Sequence, residues 1–409
     1  MKIIEGIAVC GSPIDENALK QIVNCRRFVE GAALNADHHY GYSIPIGGVL
    51  WSQELISPSA VGFDIGCGNK AVRTDLNASD IRDNMPQIMD DVASKISFGM
   101  GRSANWDIDH PLFDSETWYL IRGYGHHDDA LKGLRDKARA QLGTVGSGNH
   151  YVDIFADEED RVWVGVHFGS RGLGHKLATY FLEASGMHSN NMDSDPVMLH
   201  QRSDLGEQYI KCMNLAGEYA YAGRDAVCTK VVEILGANMV QEVHNHHNFA
   251  WREKAKDGYD YWVMRKGATP CYPGQQSFVG ATMAEPSYII EGVEGVESAD
   301  LFYSTVHGAG RVMSRGAATG HVNRKTGELT LNEDGTVKRA PRVTREMMDE
   351  KVAAAKVELR GANVDEAPQC YKRLPEVLAE QGKTVKVLHT LTPMGVAMAG
   401  KDIFDPYKD

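Results

Sequence analysis

The sequence has 409 residues, 43% of them hydrophobic and 24% charged, the composition of a globular chain able to bury a large core. No run of about 18 apolar residues occurs, so no membrane-spanning helix and no membrane partner are expected. A formal net charge of −12 excludes a generally basic nucleic-acid coat; any RNA must be met by a local patch, or with metal ions offsetting phosphate charge.

The opening residues, MKIIEGIAVCGSPIDENALK, read as a first strand followed by a helix. They lack the apolar core and cleavage site of a secretory signal, so the cytoplasm is the expected compartment. ADHHYG (36–41) and GFDIGCG (62–68) come next, both dense in glycine and polar residues. Ile81, Met85, Ile88, Met89, Val92 and Ile96 recur at helical spacing, with the regular part starting near Pro86. GSGNHYVD (146–153) precedes a strand over Arg161–Phe168, in which Val162, Val164 and Val166 share a face. VHFGSRGLGH (166–175) runs on from that strand. Leu205, Tyr209, Cys212, Met213 and Ala216 predict a second helix. NHHN (245–248) precedes a strand over Tyr259–Met264 and the basic RKGA (265–268). After VHGAGRVMSR (306–315), the residues Thr326–Arg339 predict a polar hairpin turning at Asp334-Gly335. Thr344 is the expected cap of a helix holding Met347, Met348, Val352 and Lys356. Pro375–Gln381 forms a short helix stopped by Gly382, and Val385–Leu388 a strand.

Strands and helices do not alternate regularly, so the expected class is α+β rather than a doubly wound sheet. No Pro/Gly/Ser linker divides the chain, and candidate site residues run from Asp37 to Lys401, which argues for one catalytic domain over residues 1–409. The seven cysteines (10, 25, 67, 212, 228, 271 and 370) form no C-x-x-C pair and are odd in number. A disulfide framework or zinc ribbon is therefore not expected, and most should be buried thiols.

The glycine-rich segments carry the chemistry. Asp64 and Cys67 lie three apart in a tight turn, where a carboxylate and a thiolate can converge on metal ions; the plainer reading is a turn with a buried thiol. His150, His167 and His247, each of which alone is more often a hydrogen-bonded histidine than a ligand, complete an Asp/Cys/His₃ set. Donors this dispersed suggest a site held by the whole fold, and mixed O, N and S ligands admit Mn²⁺, Zn²⁺ or Fe²⁺. In VHGAGRVMSR, Gly308, Ala309 and Gly310 let a phosphate approach the backbone, and Arg311 and Arg315 can neutralise it. A neutral His307 can attack an activated phosphate, with a carboxylate such as Asp37 orienting its other nitrogen; otherwise it is an ordinary histidine at a helix start. Arg265 and Lys266 of RKGA add two further cations.

GFDIGCG, GSGNH, HFGSRGLG, HHN, RKGA and HGAGRVMSR, in this order over nearly the whole chain, resemble the RtcB family of RNA ligases. The resemblance implies central β-sheets flanked by helices, with a dinuclear metal site in the central cleft. Cys67 would bridge two Mn²⁺ ions, with Asp64 and His150 completing one site and His167 and His247 the other. His307 would be the nucleophile that carries GMP from GTP, with Asp37 beside it. Asn149 would hold the phosphate, and Tyr151, Asp153, Asn248, Thr282, Gly308, Ala309, Gly310, Tyr371 and Lys401 would line the nucleotide. The implied reaction joins RNA 3′-phosphate or 2′,3′-cyclic phosphate ends to 5′-hydroxyl ends, through a guanylyl-histidine and an RNA-(3′)pp(5′)G intermediate, in RNA repair or tRNA splicing. An archease-type activator is a partner consistent with the family, and a monomer is expected. The sequence departs from the family at VGATM (279–283), at Asp153 where Glu is usual, at Tyr42 in place of a lysine, after Tyr371, and in the 326–339 hairpin. Two other readings are a dinuclear-metal cyclic phosphodiesterase that does not seal, and a silent RNA-binding protein; the first would not need His307, and the second predicts eroded ligands.

Overall fold

Period-two alternation organises the centre of the molecule. In the strand Arg161–Phe168, Val162, Val164 and Val166 join one apolar cluster and Trp163 another on the opposite face. The neighbouring strand Tyr151–Ala156 divides the same way, with Val152 and Ile154 on the first side and Tyr151 and Phe155 on the second. The computed structural model describes residues 1–124, 129–186, 191–321, 329–332 and 334–400. Lys401 lies outside the described residues.

These two strands sit in the middle of an eight-stranded sheet. Its order is Met239–His246, Gly68–Asn77, Arg161–Phe168, Tyr151–Ala156, Val385–Met398, Ser287–Gly292 and Gln276–Val279, with Glu358–Arg360 pairing parallel to Val385–Met398. The two ends of this path approach each other. Asn245 Oδ1 accepts from Phe278 N at 3.2 Å, and Asn69 Nδ2 donates to Phe278 O at 2.9 Å, so the sheet curls nearly closed. Two helices, Met85–Lys95 and Asp204–Leu235, cover its outer face. There Met85, Met89, Val92, Val227 and Val231 pack against Val72, Val152 and Val164. Each such buried side chain contributes roughly 1.5–3 kcal/mol.

A second, six-stranded sheet has the order Lys2–Ile4, Ile7–Val9, Gly31–His39, Ile46–Ser52, Asp260–Lys266 and Asn248–Lys254. The chain crosses from one sheet to the other at His247, between the strands Met239–His246 and Asn248–Lys254. A short pair, Ala268–Pro270 with Ser304–Val306, lies just before His307. Mixed antiparallel sheets with helices packed on them fit the α+β expectation.

Several expectations shift at their edges. The helix predicted near 205–216 spans Asp204–Leu235, capped by Ser203 and ended by Gly236 at φ +65. Its second half is buried on several sides through Ala220, Ala222, Gly223 and Arg224, which erases the amphipathic stripe that the sequence reading relies on. The last strand runs to Met398, not Leu388; a register shift at Pro393/Gly395 breaks its alternation. Thr344 caps Arg345–Ala354, but Lys356 falls past the helix end at φ +56. Leu331 pairs with Val337 around the Asp334-Gly335 turn as expected, whereas 322–328 and 333 lie outside the described residues. The helices Thr117–Tyr124, Leu134–Gln141 and Arg171–Ala184 were not anticipated. All seven cysteines are free and buried. Among the described residues no helix is long and apolar enough to cross a membrane.

Candidate active site

Register delivers the first donors. Asn245, Asn69, His167, Tyr151 and Met398 form one row across the inner face of the eight-stranded sheet. His167 is therefore flanked on both sides. Its Nδ1 lies 2.6 Å from Asn69 Oδ1, and its ring stacks on Tyr151 with centroids 5.5 Å apart. Cys67 precedes the strand Gly68–Asn77 in a turn closed by Cys67 N donating to Asp64 O at 3.0 Å, with Gly66 at φ +72. The Cys67 carbonyl accepts from His247 N at 2.8 Å, which brings the sheet-crossing histidine against the thiol. A Cβ at Gly169 would sit 2.2 Å from Asp64 Oδ1, so only glycine leaves the carboxylate its place.

The side chains converge in two groups, Cys67/His167/His247 and Asp64/Cys67/His150, with the ligand atoms of each group within 4.8 Å of one another. Cys67 Sγ is 3.8 Å from Nε2 of both His150 and His167, and Asp64 Oδ2 is 3.2 Å from His150 Nε2. His150 Nδ1 donates to Val145 O at 3.0 Å and His167 Nδ1 is turned to Asn69, so each ring directs its Nε2 lone pair at the thiol. Carboxylate, thiol sulfur and two imidazole lone pairs facing one point is an arrangement that a cation satisfies, and the donor chemistry fits a divalent metal. Burial, reinforced by neighbouring imidazoles, pushes His167 and His247 well below the usual histidine range, leaving both neutral and competent as ligands. Burial and the Asp64 charge push the Cys67 thiol up, so its ionisation would accompany metal binding. Burial raises Asp64 too, but its contact with His150 and the charge of Arg171 outweigh this and hold it down to about 2.

His307 stands next to this cluster, its ring 5.0 Å from that of His247. It follows the strand Ser304–Val306 and is not at a helix start. Asp37, fully buried in the six-stranded sheet, lies behind it. Asp37 Oδ2 is 2.5 Å from His307 Nδ1 and accepts from the backbone N–H groups of His307 at 2.9 Å and Gly308 at 3.4 Å. Burial raises the Asp37 carboxyl, but His307 and the Lys372 charge outweigh it and hold it below the usual carboxylate range. With Nδ1 bound to a carboxylate, the free lone pair of a neutral His307 is on Nε2.

One cavity of about 300 Å³ joins these parts. Asp64, Cys67, Asn149, His150, Tyr151, Asp153, His167, His247, Asn248, Thr282, His307, Gly308, Ala309, Gly310 and Tyr371 all line it. Asn149 Nδ2 lies 3.3 Å from His167 Nε2. Asp153 is buried and its Oδ1 has no partner; the hydroxyls of Tyr151 and Thr282 are likewise buried and unpaired. Three orphaned polar atoms in one cavity call for a polar ligand. Burial pushes the Asp153 carboxyl up in this state.

Two expectations about charge need correction. Arg265 does not face the cavity: it is fully buried and bonds Glu253 through both terminal nitrogens at 2.7 and 2.9 Å. Lys266 Nζ donates to Tyr42 O at 2.7 Å and does not line the cavity either. Arg311 and Arg315 do line the cavity, but they are engaged with Glu366, Asp365 and the Tyr371 hydroxyl. Sequence reasoning missed Asn69, His39 and Glu366. Asn69 is findable in principle, two residues past Cys67 on the same strand face; Glu366 has no spacing signal.

The family description tRNA-splicing ligase RtcB matches residues 18–399. The chain is 30% identical to the RNA-splicing ligase RtcB of Escherichia coli (strain K12), covering 93% of this chain and 94% of that protein. It is 29% identical to the tRNA-splicing ligase RtcB of Archaeoglobus fulgidus, over 94% and 91% of the two chains. The chain belongs to the RtcB family. RtcB membership makes it an RNA ligase by family and matches the order of motifs around the cavity. In this RtcB chain the altered 279–283 loop remains part of the site. Gly280 bridges to Gly308, and a Cβ at Gly280 would fall 2.1 Å from the Tyr151 hydroxyl.

Proposed function

We propose that this RtcB-family protein is a GTP- and Mn²⁺-dependent ligase that joins RNA 3′-phosphate or 2′,3′-cyclic phosphate ends to 5′-hydroxyl ends, with His307 as the residue that carries GMP. The observation that carries this reading is the Asp37–His307 pair, which engages Nδ1 and leaves Nε2 free in a cavity lined by both donor groups. A phosphodiesterase that only opens cyclic phosphates has no use for that pair.

His307 Nε2 attacks the α-phosphorus of GTP; the bond to the β-phosphate oxygen breaks and pyrophosphate leaves. Asp37 keeps the ring oriented and offsets the positive charge that grows on it. The glycines at 308 and 310 and Ala309 let the nucleotide lie close to the backbone. Asp153, ionised once it is paired, accepts from the donor edge of guanine. An RNA 3′-phosphate oxygen then takes the GMP from His307, breaking the N–P bond. A 5′-hydroxyl attacks the activated 3′-phosphate, and GMP departs as the strand is sealed. Two Mn²⁺ ions, held by Asp64, Cys67 and His150 and by Cys67, His167 and His247, would supply charge stabilisation and orientation for the phosphates. That charge also offsets the acidity of the chain toward RNA. The cytoplasm is the proposed setting, with tRNA halves or cleaved RNA as substrates, as a monomer over one domain and with an archease-type activator as a partner.

The test is mass spectrometry of the protein after incubation with GTP and Mn²⁺. One GMP on the His307 peptide, absent from His307→Ala, supports the reading. GMP retained by His307→Ala refutes the nucleophile, and no adduct on the metal-loaded wild type turns the assignment toward phosphodiester hydrolysis.

A further inference from the structure

We propose that Arg224 is a positioning residue that holds one of the two donor groups, Cys67/His167/His247, in its binding arrangement and leaves the other largely to itself. The inference rests on reading these side chains as metal donors.

Arg224 lies within the helix Asp204–Leu235 and is fully buried. Its bonds go to carbonyls and imidazoles rather than to a carboxylate. Nη1 donates to Gly66 O at 2.9 Å and to Phe168 O at 2.6 Å. Nη2 lies 2.9 Å from His246 Nδ1, and Nε donates to His244 Nε2 at 2.8 Å. The guanidinium also sits 5.2 Å over the ring of Tyr221. Burying a cation in this way is costly, and well-packed apolar residues usually serve a core at least as well.

The partners explain the cost. Gly66 precedes Cys67, Phe168 follows His167, and His246 precedes His247. One planar group thus fixes the chain neighbours of three donors that come from three separate segments, and those three are the members of one donor group. The second group shares only Cys67. Its His150 is oriented from elsewhere, by Val145 O, and its Asp64 by the turn before Cys67. The task requires arginine: a fork of five donors spans two carbonyls and two imidazoles, whereas a lysine ammonium presents three donors from one point.

The test uses the full chain with Arg224→Gln and Arg224→Lys, and two readouts. In Mn²⁺ titrations the wild type should bind two ions. Each variant should keep one and lose affinity for the other by about tenfold or more, the scale of outer-shell substitutions at metal sites. Adding His247→Ala to Arg224→Gln should weaken that same ion further and leave the other unchanged. In the metal-free protein, iodoacetamide should alkylate Cys67 faster in the variants while Cys25, fully buried in a different cluster, is unchanged. Unchanged Mn²⁺ binding together with unchanged Cys67 reactivity overturns the proposal. So does equal weakening of both ions, or an equal rise at Cys67 and Cys25, because either reports general loosening. A wild type that binds no Mn²⁺ but whose variants still expose Cys67 alone refutes the metal reading while the clamp stands.

Discussion

Asp37→Asn isolates what the buried carboxylate does for His307. The amide can place its oxygen where Oδ2 stands, so the contacts to the ring Nδ1 and to the backbone N–H of His307 survive in outline. What is lost is the charge. A hydrogen bond to a charged group contributes about 1.5–3 kcal/mol and a neutral one about 0.5–1.5 kcal/mol. Over the two close bonds the loss is roughly 2–3 kcal/mol, which slows GMP attachment by roughly 30- to 150-fold if it is felt fully in the transition state. The new amide nitrogen falls where Oδ1 already lacks a partner, and costs a further ~1–3 kcal/mol of stability. Single-turnover quench measurements with labelled GTP read the rate, and Mn²⁺ titration verifies that the donor groups are intact. A fall of less than about threefold with both ions bound would refute the argument that Asp37 acts through charge. The pH dependence has a defined sign. The folded-state pKa of Asp37 is lowered, so its contribution to stability is complete above the unfolded value near ~4 and fades as the pH falls through the folded value. Thermal melts of wild type and variant should therefore converge on acidification below about pH 4.

Five other substitutions probe the remaining parts. Cys67 belongs to both donor groups, so Cys67→Ala should weaken both Mn²⁺ ions, whereas His150→Ala and His247→Ala should each weaken one; elemental analysis after dialysis counts them. Asp153→Asn should reduce GTP affinity by roughly 10- to 100-fold, the loss of a charged acceptor, and narrow the preference for GTP over ATP in competition binding. At Gly310, φ is +74 and a Cβ would lie 2.2 Å from Asp37 O, so Gly310→Ala should displace the His307 loop, cost at least ~1 kcal/mol in a denaturant melt, and suppress GMP attachment.

Legibility in the sequence followed the physics of each segment. Val162, Val164 and Val166 marked their strand because one face meets helices, and that same alternation put His167 on the other face. The donors were legible because glycine must stand beside them: Gly66 turns the chain at Cys67 and Gly169 makes room for Asp64. The helix over 204–235 was half hidden because its second half is buried on several sides. Arg265 and Lys266 looked like phosphate ligands because charge is visible in sequence and its partner is not; Glu253, on the paired strand, claims Arg265. Glu366 escaped notice because it reaches the site from the short helical turn Val364–Glu366, whose place only tertiary packing fixes.

The row from Asn245 to Met398 constrains how such a protein can drift. Point substitutions along the valine face change only how well the helices fit, and neighbouring changes can compensate them. A one-residue insertion within Arg161–Phe168 is different in kind. It would turn His167 into the helix-packed core and send a valine into the cavity in a single step. Lineages descended from this chain can therefore vary the helix-facing residues of these strands, but the length of the strands can change only at the turns.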